Sequence, residues 1–194
     1  MKYDVIIVGA GPGGIFSSYE LVKLNPNLKI AVFEAGYSLE KRRCPIDGEK
    51  VKNCIKCKTC AIMSGFGGAG AFSDGKYNIT NDFGGTLYEY IGRKEAMDLM
   101  RYVDEINVTH GGEGTKMYST AGTGLKKVCM QNKLKLLDAS VRHLGTDINY
   151  IVLEHLYDHL KKNVDFHFNC FINKVEKLEQ GYRIYHGDSC YEGK

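Results

Sequence analysis

The sequence predicts an α/β fold built on a βαβ unit, and three observations predict it. A β-branched run, Val5-Ile6-Ile7-Val8, opens the chain, and its length and apolar continuity suit a buried strand. A glycine turn and a helical stretch over 15–24 follow, stopped by Asn25-Pro26. A second apolar run, Lys29–Glu34 (KIAVFE), then closes a unit of about thirty residues, the spacing of a crossover between neighbouring parallel strands.

The turn inside this unit carries the chemistry. Gly9-Ala10-Gly11-Pro12-Gly13-Gly14 fits G-x-G-x-x-G, a weak string alone, but here it directly follows a strand and opens a helix. Gly9 permits the tight turn, and Gly11 lets backbone approach a pyrophosphate. Gly14 allows close helix–strand packing, and the helix N-terminus supplies unsatisfied N–H groups. Pro12 and Gly13 complete the candidate cradle. Glu34 falls 20 residues after Gly14, at the end of the second strand, where a carboxylate takes ribose hydroxyls and repels a 2′-phosphate. The pattern is Rossmann-like and points to an ADP-containing dinucleotide; it does not by itself separate FAD from NAD. Beyond Glu34 comes a basic loop, Lys41-Arg42-Arg43, in which Arg42 and Arg43 are candidates for the cofactor's phosphates or adenosine, or else belong to a solvated loop.

Regular periodicity fades between 35 and 92, a segment long enough that it should be functional or organised around a ligand. A helix is expected over 94–108, with Ala96, Leu99, Met100 and Val103 on one face, and a short one over 125–130. Leu134–Leu137 reads as a short strand. Thr146 or Asp147 can cap a helix from Ile148 to about Lys162. The alternation of Phe166, Phe168, Cys170 and Ile172 with polar neighbours reads as a half-exposed strand, and 175–178 with 182–185 as a hairpin. The domain reading is one dinucleotide-binding domain over 1–194 with a Cys/Gly-rich insert at about 36–92.

Composition narrows the function classes. The chain has 194 residues, 43% of them hydrophobic, which is enough for a core and excludes a wholly disordered chain. A net charge of +3 excludes the dense basic stripe of a nucleic-acid binder. No apolar run reaches the length of a spanning helix, and no secretory signal opens the chain, so no membrane partner and a cytoplasmic location are expected. Seventeen of the 23 glycines gather at 9–14, 65–92 and 111–124, as loops that approach something closely require.

In a reducing compartment, seven cysteines argue for thiols or metal ligands over disulfides. Cys54-x2-Cys57-x2-Cys60, with Cys44 ten residues earlier, offers four thiolates that suit zinc or an iron–sulfur cluster; redox thiols or free cysteines are the alternatives. Cys129, Cys170 and Cys190 read as packing residues. His155 and His159 stand i, i+4 on a helix but lack the Glu of H-E-x-x-H, so they read as helix surface.

Four strings then carry a resemblance: GAGPGG at 9–14, KRRCPI at 41–46, CIKCKTCAIMSGFGGAGAFSDGK at 54–76 and RHLGTD at 142–147. Through them the chain resembles a group of FAD-dependent dehydrogenases of bacteria and archaea, within the flavoproteins that have two dinucleotide folds. The likeness runs to about Glu179. It implies a Rossmann-like FAD-binding βαβ fold with a small β-meander or hairpin, and electrons passing through the flavin to a small-molecule or protein partner. The resemblance places the 65–76 loop beside the flavin, with Gly67, Gly68, Ala69 and Gly70 presenting backbone and Ser73 and Lys76 adding hydrogen bonds or charge. It places backbone near Ile172 against the adenine, and it gives Arg142 and Asp147 no secure role. Members of the group are considerably longer. The expectation is therefore an N-terminal portion, incomplete at the C-terminus, with the substrate domain largely absent. A non-catalytic nucleotide- or metal-binding module, or an NAD-binding domain with a cysteine-bound zinc, is the alternative.

Overall fold

The computed structural model describes residues 1–193. Strand β1 (Val5–Val8), helix α1 (Pro12–Leu24) and strand β2 (Ile30–Phe33) form the βαβ unit, with β1 and β2 parallel and Val5 opposite Ile30. There follow β3 (Lys76–Ile79), α2 (Leu87–Ile91), α3 (Arg93–Asn107), β4 (Met117–Ser119), α4 (Leu125–Gln131), β5 (Ser140–His143) and α5 (Gly145–Leu160). The chain continues through β6 (Val164–His167), β7 (Lys174–Lys177), β8 (Tyr182–His186) and β9 (Ser189–Gly193). It divides into two compact units, residues 1–72 with 153 onward, and Ser73–Val152, the boundary falling inside α5. The cysteine-bearing segment 43–60 stays with the first unit.

In the first unit the parallel sheet has the order β1-β2-β6, with Ile30 opposite Val164. Every residue of β2 is buried, as a central strand requires. Ala31 and Phe33 meet Cys170 and Ile184 in one cluster, with Tyr3, Ile6, Ile172 and Tyr191 packed against it. Phe33 stacks on His167 at 4.5 Å and tilts against Tyr191 at 4.6 Å. This cluster joins the sheet to an antiparallel meander, β7-β8-β9. The meander is also tied to the chain start, Tyr3 N–H donating to Glu192 O at 2.9 Å and Glu192 N–H to Met1 O at 3.0 Å. A second cluster gathers Phe66, Tyr157, Phe166 and Phe168, with Phe66 fully buried and edge-to-face on Tyr157 at 5.1 Å.

The second unit is an antiparallel sheet of order β3-β5-β4 with α2, α3 and α4. Arg142 of β5 holds it together. Its Nε and Nη2 reach the two oxygens of Asp104 on α3 at 2.7 and 2.9 Å, and its Nη1 donates to Thr115 O at 2.6 Å. The residue for which sequence gave no role is thus the anchor of helix to sheet. Asp147 lies in the first turn of α5, where a carboxylate complements the helix dipole.

Several expected elements are corrected. The strand expected at Leu134–Leu137 is absent; those residues follow α4, with Leu134 and Leu137 exposed. The strand forms at Ser140–His143 instead, where β3 and β4 satisfy its backbone on both edges. The alternating stretch 166–172 leaves the sheet after His167 because Asn169 takes a left-handed conformation, φ 52°. Its strand, β6, is the half-exposed edge of the parallel sheet, paired on one side with β2, and is shorter than the alternation suggested. The segment read as aperiodic contains β3 and α2, and the hairpin gains a third strand, β9.

Candidate functional site: a glycine cradle at the end of β1

The turn after β1 is built as its sequence requires. Gly9 has φ 102°, a conformation open to glycine, and donates its N–H to Phe33 O at 2.8 Å, joining the ends of β1 and β2. A Cβ on Gly14 would stand 2.0 Å from Gly9 O, so helix and turn pack as closely as glycine allows. Cβ atoms on Gly9, Gly11 or Gly13 would meet nothing within 4 Å. The turn is therefore tight on its inner side and open on its outer side. Pro12 stands at the start of α1, and no side chain caps that N-terminus, which leaves its positive end to a ligand.

The second glycine loop lies against the first. Gly67 N–H donates to Ala10 O at 2.8 Å, and a Cβ on Gly68 would meet Gly11 Cα at 3.2 Å. Gly68 begins a short 3-10 turn, Gly68–Phe72, that carries Ala69 and Gly70 at the surface. Two loops far apart in sequence thus make one cradle.

Glu34 is the junction between them. It is buried, and its Oε2 accepts Ala10 N–H at 2.7 Å. Its Oε1 accepts Gly36 N–H at 2.8 Å and Gly65 N–H at 2.9 Å. With about four acceptor sites on a carboxylate, these three bonds use all but one, which is on Oε2. Gly36 and Gly65, not singled out by sequence, are essential to this junction. A Cβ on Gly36 would lie 2.3 Å from Gly65 N. The signal available was the position of Gly36 two residues after Glu34, close enough for its N–H to return to that carboxylate.

Arg42 is buried rather than facing an open site, and its N–H groups are given to main-chain carbonyls of 61–68. Burial pulls its guanidinium below the ordinary arginine value, with the charges of Glu34 and Cys60 opposing. Arg43 is exposed. Ile172 packs in the meander cluster. Ser73 and Lys76 belong to the second unit, where Ser73 Oγ accepts Gly75 N–H at 3.3 Å and Lys76 pairs with Asp74 at 2.7 Å. The Lys76 ammonium holds the Asp74 carboxyl below the usual carboxylate range.

The metal expected at Cys44, Cys54, Cys57 and Cys60 is not supported. All four thiols are free and exposed, and among the described residues no group of three or more Cys, His, Asp or Glu is gathered as a metal site. Spacing put the four thiols within 17 residues, but the segment runs over the surface without turning them onto one point, so no chemistry is routed through a metal here.

No family model matches the chain, and no curated protein matches it. Solved structures do. Glycine oxidase from Geobacillus kaustophilus matches with a TM-score of 0.53 and 14% identity, over 99% of this chain and 53% of its own. L-amino acid deaminase from Proteus vulgaris matches with a TM-score of 0.48 and 13% identity, over 99% of this chain and 46% of its own. The chain spans about half the length of these structures. The first likeness is one of fold, and with the parallel β1-β2-β6 sheet and the βαβ unit it defines a Rossmann-like α/β fold.

Proposed function

We propose that the chain is the dinucleotide-binding part of an FAD-dependent oxidoreductase. One observation carries the reading: two glycine loops meet, Gly67 N–H on Ala10 O and Gly68 against Gly11, to form a single cradle open at Gly9, Gly11 and Gly13 beside an uncapped helix N-terminus. The donor set fits an ADP moiety. The positive end of α1 suits a pyrophosphate, and the remaining acceptor of Glu34 suits one ribose hydroxyl. The same buried carboxylate excludes a 2′-phosphate by charge. Gly68–Gly70 continue the cradle beyond Gly11 as backbone without bulky side chains, which would suit a flavin. The resemblance of residues 54–76 to FAD-dependent dehydrogenases, together with a fold likeness to a glycine oxidase, supports a flavin in preference to a nicotinamide.

The bound flavin would supply two-electron chemistry that no side chain here supplies. The residues of this chain bind and orient it: Gly11 and Gly13 admit the phosphates, Glu34 sets the ribose, and Gly67 and Gly68 wall the cradle. Substrate and electron partner fall to structure outside this part. The test is the purified chain's visible spectrum, its extracted cofactor and its binding of added FAD. Yellow protein releasing FAD is expected. Colourless protein that takes up neither FAD nor ADP at millimolar concentration refutes the reading.

A further inference from the structure

We propose that Arg42 is a positioning residue which turns the carbonyl groups of the second glycine loop away from the dinucleotide cradle. The loop 65–68 is strung between two opposite charges. Three of its four N–H groups leave the loop: Gly65 to Glu34 Oε1 at 2.9 Å, Phe66 to Tyr37 O at 3.1 Å, and Gly67 to Ala10 O at 2.8 Å. Two of its carbonyls go to Arg42, whose Nη1 donates to Phe66 O at 2.7 Å and Gly68 O at 2.8 Å, while Gly65 O accepts Gly68 N–H at 2.9 Å. The same guanidinium holds the approach to the loop, Nε donating to Ala61 O at 2.9 Å and Nη2 to Ile62 O at 2.7 Å. Four of the five N–H donors of an arginine are thereby engaged on main chain. The ring of Phe72 lies against the guanidinium at 4.8 Å, and Arg42 as a residue is 4% exposed. Gly65, at φ 122°, makes the arrangement possible, since a Cβ there would stand 2.5 Å from Arg42 Cδ.

The consequence for the cradle is electrostatic. A glycine-rich loop beside a pyrophosphate is useful only if its carbonyl oxygens are kept off the anion, and peptides flanked by glycine face either way with little cost unless a partner fixes them. Here a buried guanidinium chooses. The role needs a planar fork rather than a charge, because four carbonyls in two stretches of chain are met at once. Arg42 also closes the base of the cysteine-bearing segment, since it precedes that segment and binds the carbonyls that follow it.

This inference rests on the dinucleotide reading above, and its test keeps the two apart. Amide exchange at Gly65, Phe66 and Gly67 is measured without ligand in wild type, Arg42→Lys and Gly65→Ala, and FAD binding is titrated in the same proteins. Circular dichroism and exchange at the β2 amides report that the variants fold. Both variants should exchange at least about tenfold faster at the three loop amides, with β2 unchanged, and bind FAD at least about tenfold more weakly. Lysine, which keeps the charge but not the fork, should fail to rescue either property. Wild-type exchange in Arg42→Lys overturns the proposal, as does faster exchange with FAD affinity within about twofold of wild type. If wild type itself binds no FAD while the loop amides still depend on Arg42, the dinucleotide reading falls and the ordering of the loop by Arg42 stands.

Discussion

Gly13 and Gly14 are neighbours in one motif, yet the structure assigns opposite consequences to the same substitution. A Cβ at position 14 would lie 2.0 Å from Gly9 O and 3.1 Å from Gly9 C, both backbone atoms of the turn. That is more than about 1 Å inside an ordinary contact, and backbone cannot rotate aside as a side chain does. Overpacking of this kind costs about 3 kcal/mol at the upper end of its range, against about 1 kcal/mol returned by alanine's helix propensity. Gly14→Ala should therefore lose about 2 kcal/mol, a fall of roughly 4–8 °C in melting temperature for a chain of this size. At Gly13 a Cβ meets nothing within 4 Å. Gly13→Ala should stabilise the ligand-free protein by about 0.5–1 kcal/mol through the unfolded state. Its methyl group occupies the face proposed for the pyrophosphate, so FAD affinity should fall by about tenfold or more. Thermal unfolding by circular dichroism and calorimetric titration of FAD read the two effects separately. A Gly14→Ala protein melting within about 1 °C of wild type, or a Gly13→Ala protein binding FAD as wild type does, refutes the assignment of inner and outer sides to the turn.

Three further outcomes follow from the fold. Asp104→Asn leaves the part-buried Arg142 without its charge partner and should cost about 2 kcal/mol, read by urea unfolding; a loss below about 0.5 kcal/mol shows the pair is not the anchor of α3 to β5. Thiol titration of the native protein should find five fast groups, Cys44, Cys54, Cys57, Cys60 and Cys190, with Cys170 slow because burial pushes its thiol up. Protection of the first four that is released by a chelator would instead restore a metal centre. His167 titrates below the ordinary imidazole range because burial disfavours its charge, with Asp165 opposing. The unfolded chain therefore takes up the proton first, so this stability is complete above about pH 6.5 and is lost as pH falls through the lowered folded value. His167→Gln should flatten the melting temperature against pH on that acid side, and an unchanged slope counts against the half-buried imidazole as its cause.

Local pattern was legible in the sequence where the chain's own neighbours set the structure. Val5–Val8, the glycine turn and Ile30–Phe33 form a βαβ unit because two apolar runs and a proline stop fix lengths and boundaries without help from elsewhere. The helix at 93–107 was legible for the same reason. Glu34 and the motif glycines were legible because their spacing is counted along one strand–helix–strand unit.

Tertiary structure alone decided what those residues touch. Spacing put Cys44, Cys54, Cys57 and Cys60 close in the chain, but only the path of the segment shows that they do not converge. Sequence placed Arg42 near a cofactor because basic side chains seek phosphate; the folded chain spends its donors on four carbonyls instead, a requirement created by a loop some twenty residues away. Ser140–His143 became a strand because β3 and β4 supply partners on both edges, a non-local condition that no window of sequence contains. The glycine excess shows the same division. Its positions announce close approach of backbone to something. Only the fold reveals that for Gly14, Gly36 and Gly65 this is the chain itself, while Gly9, Gly11 and Gly13 face open space.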